Sequence, residues 1–270
     1  MQSENKYPPL VYKYRNWTEQ YHKDLLQKNQ FFFTSPKDFN DPFDCRIPYD
    51  YSFIAADDKI KAYINKKRED HKNEPTFKGK DLEKILEDFE NRLRNEPSQV
   101  QKQFNDLYFD GVDKHFGVLS LSEIWNSILM WSHYADNHKG YCIGFWEEKL
   151  RNSFIATGGR VIYPPQNDFP RIDPMGDFIE NMIRQSHTKS KEWDYEKEYR
   201  LAKIFYPKIA SNEERIQEFP DEFISEIIIG LNASPQTRED LIQIARQKNI
   251  KIFQAVKSPF KFEVTKEPVL

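Results

Sequence analysis

The sequence predicts an α+β fold: a mixed β-sheet core with flanking helices and a helical insertion. Three observations predict it. Short apolar or alternating runs recur at both ends of the chain and read as strands. A Lys/Glu-rich stretch between them, residues 55–110, has helical periodicity and few β-branched residues. Near the end, FISEIIIG, a capped helix and IKIFQAV follow one another as a strand–helix–strand unit. The 270 residues are read as a single α/β-type domain, 1–270, with 55–110 as an insertion within it.

Each element follows from local signals. Leu10–Arg15 (LVYKYR) partly alternates and predicts a strand. Thr18 is placed to cap a helix over Glu19–Lys28, and Phe31–Thr34 predicts a second strand. Pro36–Asp44 (PKDFNDPFD) predicts a loop, because Asn and Asp favour Asx turns and Pro42 disfavours helix before it. Within Ala55–Leu107, residues Leu82, Ile85, Leu86, Phe89 and Leu93 recur every three or four positions, one face of a helix. The segment predicts two or three solvated helices outside the main sheet, contributing little to any site. Strands are predicted again at Val118–Leu121, Tyr141–Trp146 and Arg160–Tyr163, a helix at Asp173–Arg184 and a long strand at Tyr195–Phe205. Phe223–Gly230 is the most apolar run and predicts a central strand. Ser234 caps a helix with Pro235 in its first turn, running to Lys248, before a last strand at Ile250–Val256.

Composition narrows the function classes. Aromatic residues make up 15% of the chain, with 21 Phe and 14 Tyr, so rings are expected to fill much of the core. Mean hydropathy is −0.83, no apolar run nears the roughly 20 residues that span a bilayer, and Met1–Pro9 has no apolar leader segment. Cys45 and Cys142 are far apart, which suits reduced packing residues in a cytoplasmic protein with no membrane partner. A net charge of −3 gives no strong nucleic-acid signal. GxGxxG, P-loop, CxxC, HExxH and GxSxG patterns are all missing, which leaves kinase, dinucleotide-oxidoreductase, zinc-protease and serine-hydrolase readings without support.

Four constellations could carry chemistry. On the first strand, Tyr12 and Tyr14 share a face, and Arg15 could grip a phosphate; half-buried aromatics beside a surface arginine would look the same. In Asn40–Asp44, Asp41 or Asp44 could be aimed into a cleft by Pro42, or their side chains could simply close a turn. Trp131–Phe145 (WSHYADNHKGYCIGF) sets a polar helix end, stopped by Gly140, against a strand. There His133 could act as a general base, or be merely hydrogen-bonded on a helix whose Ile128, Trp131 and Tyr134 or Ala135 pack inward. His133 and His138 are five apart, the wrong spacing for a ligating pair on one helix face, so no metal is expected. In Trp193–Arg200 (WDYEKEYR), a strand would put Glu196, Glu198 and Arg200 on one face, a carboxylate pair suited to an oxocarbenium-like centre. A helix would reduce Glu196 and Arg200 to an ordinary i,i+4 pair.

YKYR, FNDPFD, MWSHYADNHKGYCIGF and KEWDYEKEYR occur in this order between about residues 10 and 205. In this the chain resembles family 2971 of the domains of unknown function, a bacterial and phage-associated group to which no reaction is attached. Its layout is also similar to ADP-ribosyltransferases, in which a first-strand Arg, His or Tyr contacts NAD, an aromatic or Ser lies on a middle strand, and a Glu on a late one. That similarity implies Tyr14 or Arg15, then Ser120 or Tyr134, then Glu196 or Glu198 in those places, and Glu-Lys-Glu at 196–198 resembles the paired-Glu element of arginine-modifying transferases. No His-Gly-Thr follows the first strand here, and the WSHYA helix has no obvious counterpart.

The leading expectation is therefore an NAD-consuming ADP-ribosyltransferase-like or glycohydrolase-like effector, a toxin or antiphage-defence protein, with NAD as substrate and a macromolecular acceptor or partner protein. Glu198, Glu196 and His133 are the expected catalytic residues; Tyr14, Arg15, Tyr134, Ser120 and Arg200 would bind the nucleotide. A second expectation is a metal-dependent nuclease built on Glu147-Glu148-Lys149 with Asp136. A third is a non-catalytic binding module.

Overall fold

The computed structural model describes residues 7–74, 78–154, 156–165 and 168–269. Met1–Lys6, most of the stretch expected to hold no apolar leader, thus lies outside the described residues. The chain opens with β1 (Leu10–Arg15), α1 (Gln20–Gln27) and β2 (Gln30–Phe32), followed by α2 (Asp57–His71), α3 (Leu82–Asn95) and α4 (Pro97–His115). Then come β3 (Phe116–Ser122), α5 (Ile128–Tyr134), β4 (Tyr141–Trp146), α6 (Glu147–Ser153), β5 (Thr157–Arg160), α7 (Phe178–Ser186) and β6 (Glu198–Ile204). The last third holds α8 (Asn212–Arg215), β7 (Ile216–Glu218), β8 (Ile224–Ile229), α9 (Pro235–Lys248), β9 (Lys251–Lys257) and β10 (Val264–Pro268). The fold is α+β, built on an eight-stranded sheet in the order β10-β9-β8-β4-β1-β3-β6-β5, with β2 and β7 paired separately.

Every pairing in the large sheet is antiparallel except β8 with β9, which α9 connects as a strand–helix–strand unit. Ser234 accepts from the Thr237 amide and Pro235 opens the helix, the cap expected from sequence. The first helix is tied differently: the Asn16 side chain, rather than Thr18, accepts from the amides of Thr18 and Glu19. Both amides precede α1, whose cap position is Glu19 and carries no side-chain cap, so Asn16 closes the turn into the helix rather than capping its first turn.

Other boundaries also move. The strand expected at Arg160–Tyr163 lies earlier, at Thr157–Arg160, and the helix expected from Asp173 begins at Phe178, where Asp177 caps it. The long strand expected over Tyr195–Phe205 is shorter. Lys191–Glu196 forms a 3₁₀ turn, Lys197 takes a left-handed conformation (φ 43°), and β6 starts only at Glu198. A further edge strand, β10, follows β9.

The two faces of the sheet carry two cores. One face buries Val11, Leu119, Leu121, Ile143, Phe145, Tyr199, Leu201 and the β8 isoleucines Ile227 and Ile229, covered by α9 and the α1–β2 segment. The other buries Tyr12, Tyr14, Cys142 and Ile228 under Met130, Trp131 and Ala135 of the α5 segment. Helices α2–α4 close a separate aromatic cluster around Tyr51, Tyr63, Leu86 and Val100, away from the central strands. No helix among the described residues is long and apolar enough to cross a membrane.

The sheet is split near its middle. β1 pairs with β4 along its whole length, from Leu10↔Trp146 to Arg15↔Tyr141, but meets β3 only at Tyr12↔Ser122. Further along, Thr34 takes the edge of β3 by bridging Val118. Between those two points the strands stand apart, and the Lys13 ammonium reaches across to donate to the Ser120 carbonyl.

Candidate functional site

The split holds a cavity of about 110 Å³. Because β1 and β3 diverge there, residues of both faces of β1 reach it: Tyr12 and Tyr14 from one, Lys13 and Arg15 from the other. Ser120 and Ser122 line it from β3, Tyr134 from α5, Asp44 from the Asn40–Asp44 turn, and Lys189, Glu196 and Glu198 from the segment leading into β6.

The acidic wall is a fully paired buried network. Arg200 has no exposed surface, and each of its five N–H groups donates. Nε and Nη2 hold Glu198 at 2.7 and 3.0 Å, Nη1 and Nη2 hold Asp44 at 2.8 and 2.6 Å, and Nη1 also bonds the Ser186 carbonyl at 2.7 Å. Lys189 Nζ lies 2.5 Å from Glu196 Oε2, 3.1 Å from Glu198 Oε2 and 3.7 Å from Asp44 Oδ2. The Tyr134 hydroxyl donates to Glu196 Oε1 at 2.5 Å. Glu196 therefore joins Glu198 without sharing its strand face: the left-handed Lys197 turns the backbone so that both carboxylates meet one ammonium. Paired desolvated charges of this kind stay ionised only while every partner is present.

The two carboxylates are pushed apart in acidity. Burial opposes ionisation of Glu198, but the Arg200 guanidinium and the Lys189 ammonium outweigh it and hold its carboxyl well below the usual range. Burial raises Glu196, against the pull of Lys189 and with the added push of Glu198. Across the cavity, burial and the neighbouring Arg15 bring the Lys13 ammonium well below its ordinary range, and burial also lowers Arg15. Among the described residues neither Lys13 nor Arg15 makes an ion pair. An anion placed between them would relieve both.

Of the residues singled out in the sequence, Tyr14, Arg15, Ser120, Tyr134, Glu196 and Glu198 converge on this cavity. Arg200 stands behind Glu198 and positions it, without lining the space. His133 is exposed on the outer side of α5, its ring 5.9 Å from that of Tyr195, so a general-base role inside the cavity does not fit its place. A side chain one residue along the helix, Tyr134, points in instead, while Trp131 and Ala135 pack inward and Ile128 stays outside. Asp41 closes a turn by accepting from the Phe43 amide, whereas Asp44 reaches the network. The nuclease set is not assembled. Glu147 is locked to Arg151 and to the Tyr199 hydroxyl on the sheet face that buries Leu119 and Phe145, while Asp136 follows α5 on the opposite one.

Lys13 and Lys189 complete the site but were not assigned to it from sequence, while Asp44 is the one of the Asp41/Asp44 alternatives that reaches it. Two carboxylates and one arginine at 196–200 imply at least one more buried cation, yet nothing in His187-Thr188-Lys189-Ser190 marks it as that cation. Cys45 abuts the network, 3.4 Å from Arg200 Nη1, but burial pushes its thiol up to about 12, which makes it a packing residue.

Residues 130–201 match the model of a family described as a protein of unknown function (DUF2971). The match spans the MWSHYADNHKGYCIGF and KEWDYEKEYR segments and thus Tyr134, Lys189, Glu196, Glu198 and Arg200, but neither YKYR nor FNDPFD. No curated protein and no solved structure matches the chain.

Proposed function

We propose that the split in the sheet binds a ribonucleotide through its phosphates and that the chain cleaves the nicotinamide–ribose bond of NAD, releasing or transferring the ADP-ribosyl group. The observation that carries this reading is the pairing of opposites in one cavity: Lys13 and Arg15, which make no close ion pair among the described residues, share it with Glu196 and Glu198, whose charges already favour the Lys13 ammonium. Cations suit the diphosphate, and a fixed carboxylate beside the ribose suits the cationic sugar that forms when its base departs.

In this reaction the C1′–N bond of the nicotinamide riboside breaks, and the bonding pair leaves with neutral nicotinamide. Glu198, held ionised by Arg200 and Lys189, stabilises the ribosyl cation and accepts from a ribose hydroxyl. An acceptor nucleophile then bonds to C1′ and passes its proton to Glu196, the carboxylate with the raised proton affinity; in hydrolysis water bonds to C1′ instead and loses its proton to solvent. Tyr134 and Lys189 keep Glu196 oriented.

The test is nicotinamide release from NAD by the full chain. Glu198→Gln should abolish release in a chain that is less stable but still folded, because Gln keeps one acceptor for Arg200 and loses the charge; circular dichroism checks the fold. Glu196→Ala should impair transfer to an acceptor and spare hydrolysis. Undiminished NAD turnover by Glu198→Gln would sink the proposal. Nucleotide binding without turnover in the unmodified chain would point to a binding module instead.

A further inference from the structure

Lys13 and Arg15 also line a second cavity, on the other side of the split. It measures about 300 Å³ and lies between the α1 face that carries Tyr21 and Leu25 and the edge pair β2–β7, which contributes Phe31, Phe32 and Ile216. None of the site carboxylates reaches it. Its apolar walls are partly open: Tyr21 is 64% exposed and Phe32 38%. Asp24 and Gln30 add hydrogen-bonding groups at its margin.

Taking the proposed NAD reaction as the premise, we infer that this second cavity is the adenosine subsite. A dinucleotide is linear in its chemistry: base, ribose, diphosphate, ribose, base. The ribose whose bond breaks must lie beside Glu196 and Glu198, and the diphosphate must lie on the cations that follow. The second nucleoside then continues past Lys13 and Arg15. Among the described residues, the cavity between α1 and β2–β7 shares those two residues and none of Asp44, Glu196 and Glu198; its one carboxylate, Asp24, is already held by Gln20 and Lys28. Its volume reaches the lower end of the range typical of small-molecule pockets, whereas the chamber at the carboxylates holds only part of a ligand. Tyr21 and Phe32 offer ring surface on which a purine can stack. A third cavity, about 460 Å³, meets the central chamber at Asn40 and Lys189 and lies on the acidic side, so it is the wrong continuation for the diphosphate.

The second nucleoside is separable from the reacting one by choice of probe. ADP carries the adenosine and diphosphate without the reacting ribose; nicotinamide mononucleotide carries the reacting ribose and one phosphate without adenosine. Calorimetric titration of the full chain with each, in the unmodified protein and in Tyr21→Ala/Phe32→Ala, tests the assignment. Both rings are exposed, so the variant should fold, which circular dichroism checks. ADP affinity should fall about tenfold, the scale of losing a stacked base, while nicotinamide mononucleotide affinity holds. Unchanged ADP affinity in the variant, or equal weakening of both ligands, would overturn the subsite. Loss of ADP binding in the variant, with no nicotinamide release by the unmodified chain, would keep the subsite and refute the reaction. Failure of ADP to bind the unmodified chain would refute the subsite, whatever the outcome with NAD.

Discussion

At the scale of single residues, Arg200 holds the acidic wall together. Asp44 comes from a turn more than 150 positions upstream, yet the two side chains meet in a bidentate pair with no exposed surface on the arginine. Arg200→Met would leave Asp44 and Glu198 buried without their cation. Removing one partner of such a pair costs about 3–5 kcal/mol, and for a chain of this size that lowers Tm by roughly 10 °C, as differential scanning calorimetry would show. Arg200→Lys should recover little of it, because one ammonium cannot reproduce two forks. The carboxylates and this arginine were legible in the sequence because they crowd into five positions. Lys189 was not, and Asp44 could not be told from Asp41, since their roles exist only once distant segments meet. His133 misled for the opposite reason: a titratable residue in a dense polar helix end attracts attention, but only the helix's rotation decides that Tyr134 faces inward.

At the scale of elements, the turn after α5 fixes where β1 ends. Asp136, Asn137 and His138 all have positive φ, and Gly140 then passes directly under the β1 terminus. A Cβ at Gly140 would stand 2.1 Å from the Arg15 carbonyl oxygen and 2.8 Å from the Asn16 Cα. Gly140→Ala must therefore displace backbone that carries Arg15, at a cost of about 1–3 kcal/mol, and should weaken ADP binding with it. Gly111→Ala is the matching control. Gly111 lies inside α4 with nothing within 4 Å of an added Cβ, so the change should stabilise by about 0.5–1 kcal/mol. Urea denaturation of the two variants should move in opposite directions. The elements that sequence placed well, β4 and the β8–α9–β9 unit, combine apolar runs with clear caps. Those it missed or shifted lack such signals: β5 is TGGR, and β10 is an edge strand reading VTKEP, whose Lys, Glu and Pro resemble a loop. The start of β6 was masked by a run of alternating residues that Lys197 interrupts through a backbone angle no pattern reveals.

At the scale of the whole molecule, stability depends on pH through two windows, one set by buried histidines and one by the site carboxylate Glu198. His187 is buried beneath Gly159, its Nδ1 2.9 Å from the Ser186 hydroxyl and its Nε2 without a partner. Burial, with Arg200 nearby, lowers it from 6.5 to about 4. The unfolded chain therefore takes up a proton as pH falls below 6.5 while the folded one does not. The resulting stability is complete above pH 6.5, is lost progressively down to pH 4 and levels off there, up to about 3 kcal/mol in all. His22, lowered to about 3 by burial and by Arg15 and Lys13, adds a smaller share over a similar window because it is partly exposed. Glu198 acts in a separate window: its depressed carboxyl contributes fully above about pH 4.5 and loses that contribution as pH falls below it. Denaturant midpoints measured from pH 3 to 8 should thus rise most steeply between 4 and 6.5. His187→Gln should flatten that segment and leave the decline below 4.5, whereas Glu198→Gln should do the reverse. A His187 variant that keeps the full slope would show that the imidazole titrates normally and that this side of the sheet admits water. The same profile reports on the site, since an anion seated between Lys13 and Arg15 would remove part of what depresses His22, and saturating ADP should raise the His22 titration midpoint seen by NMR.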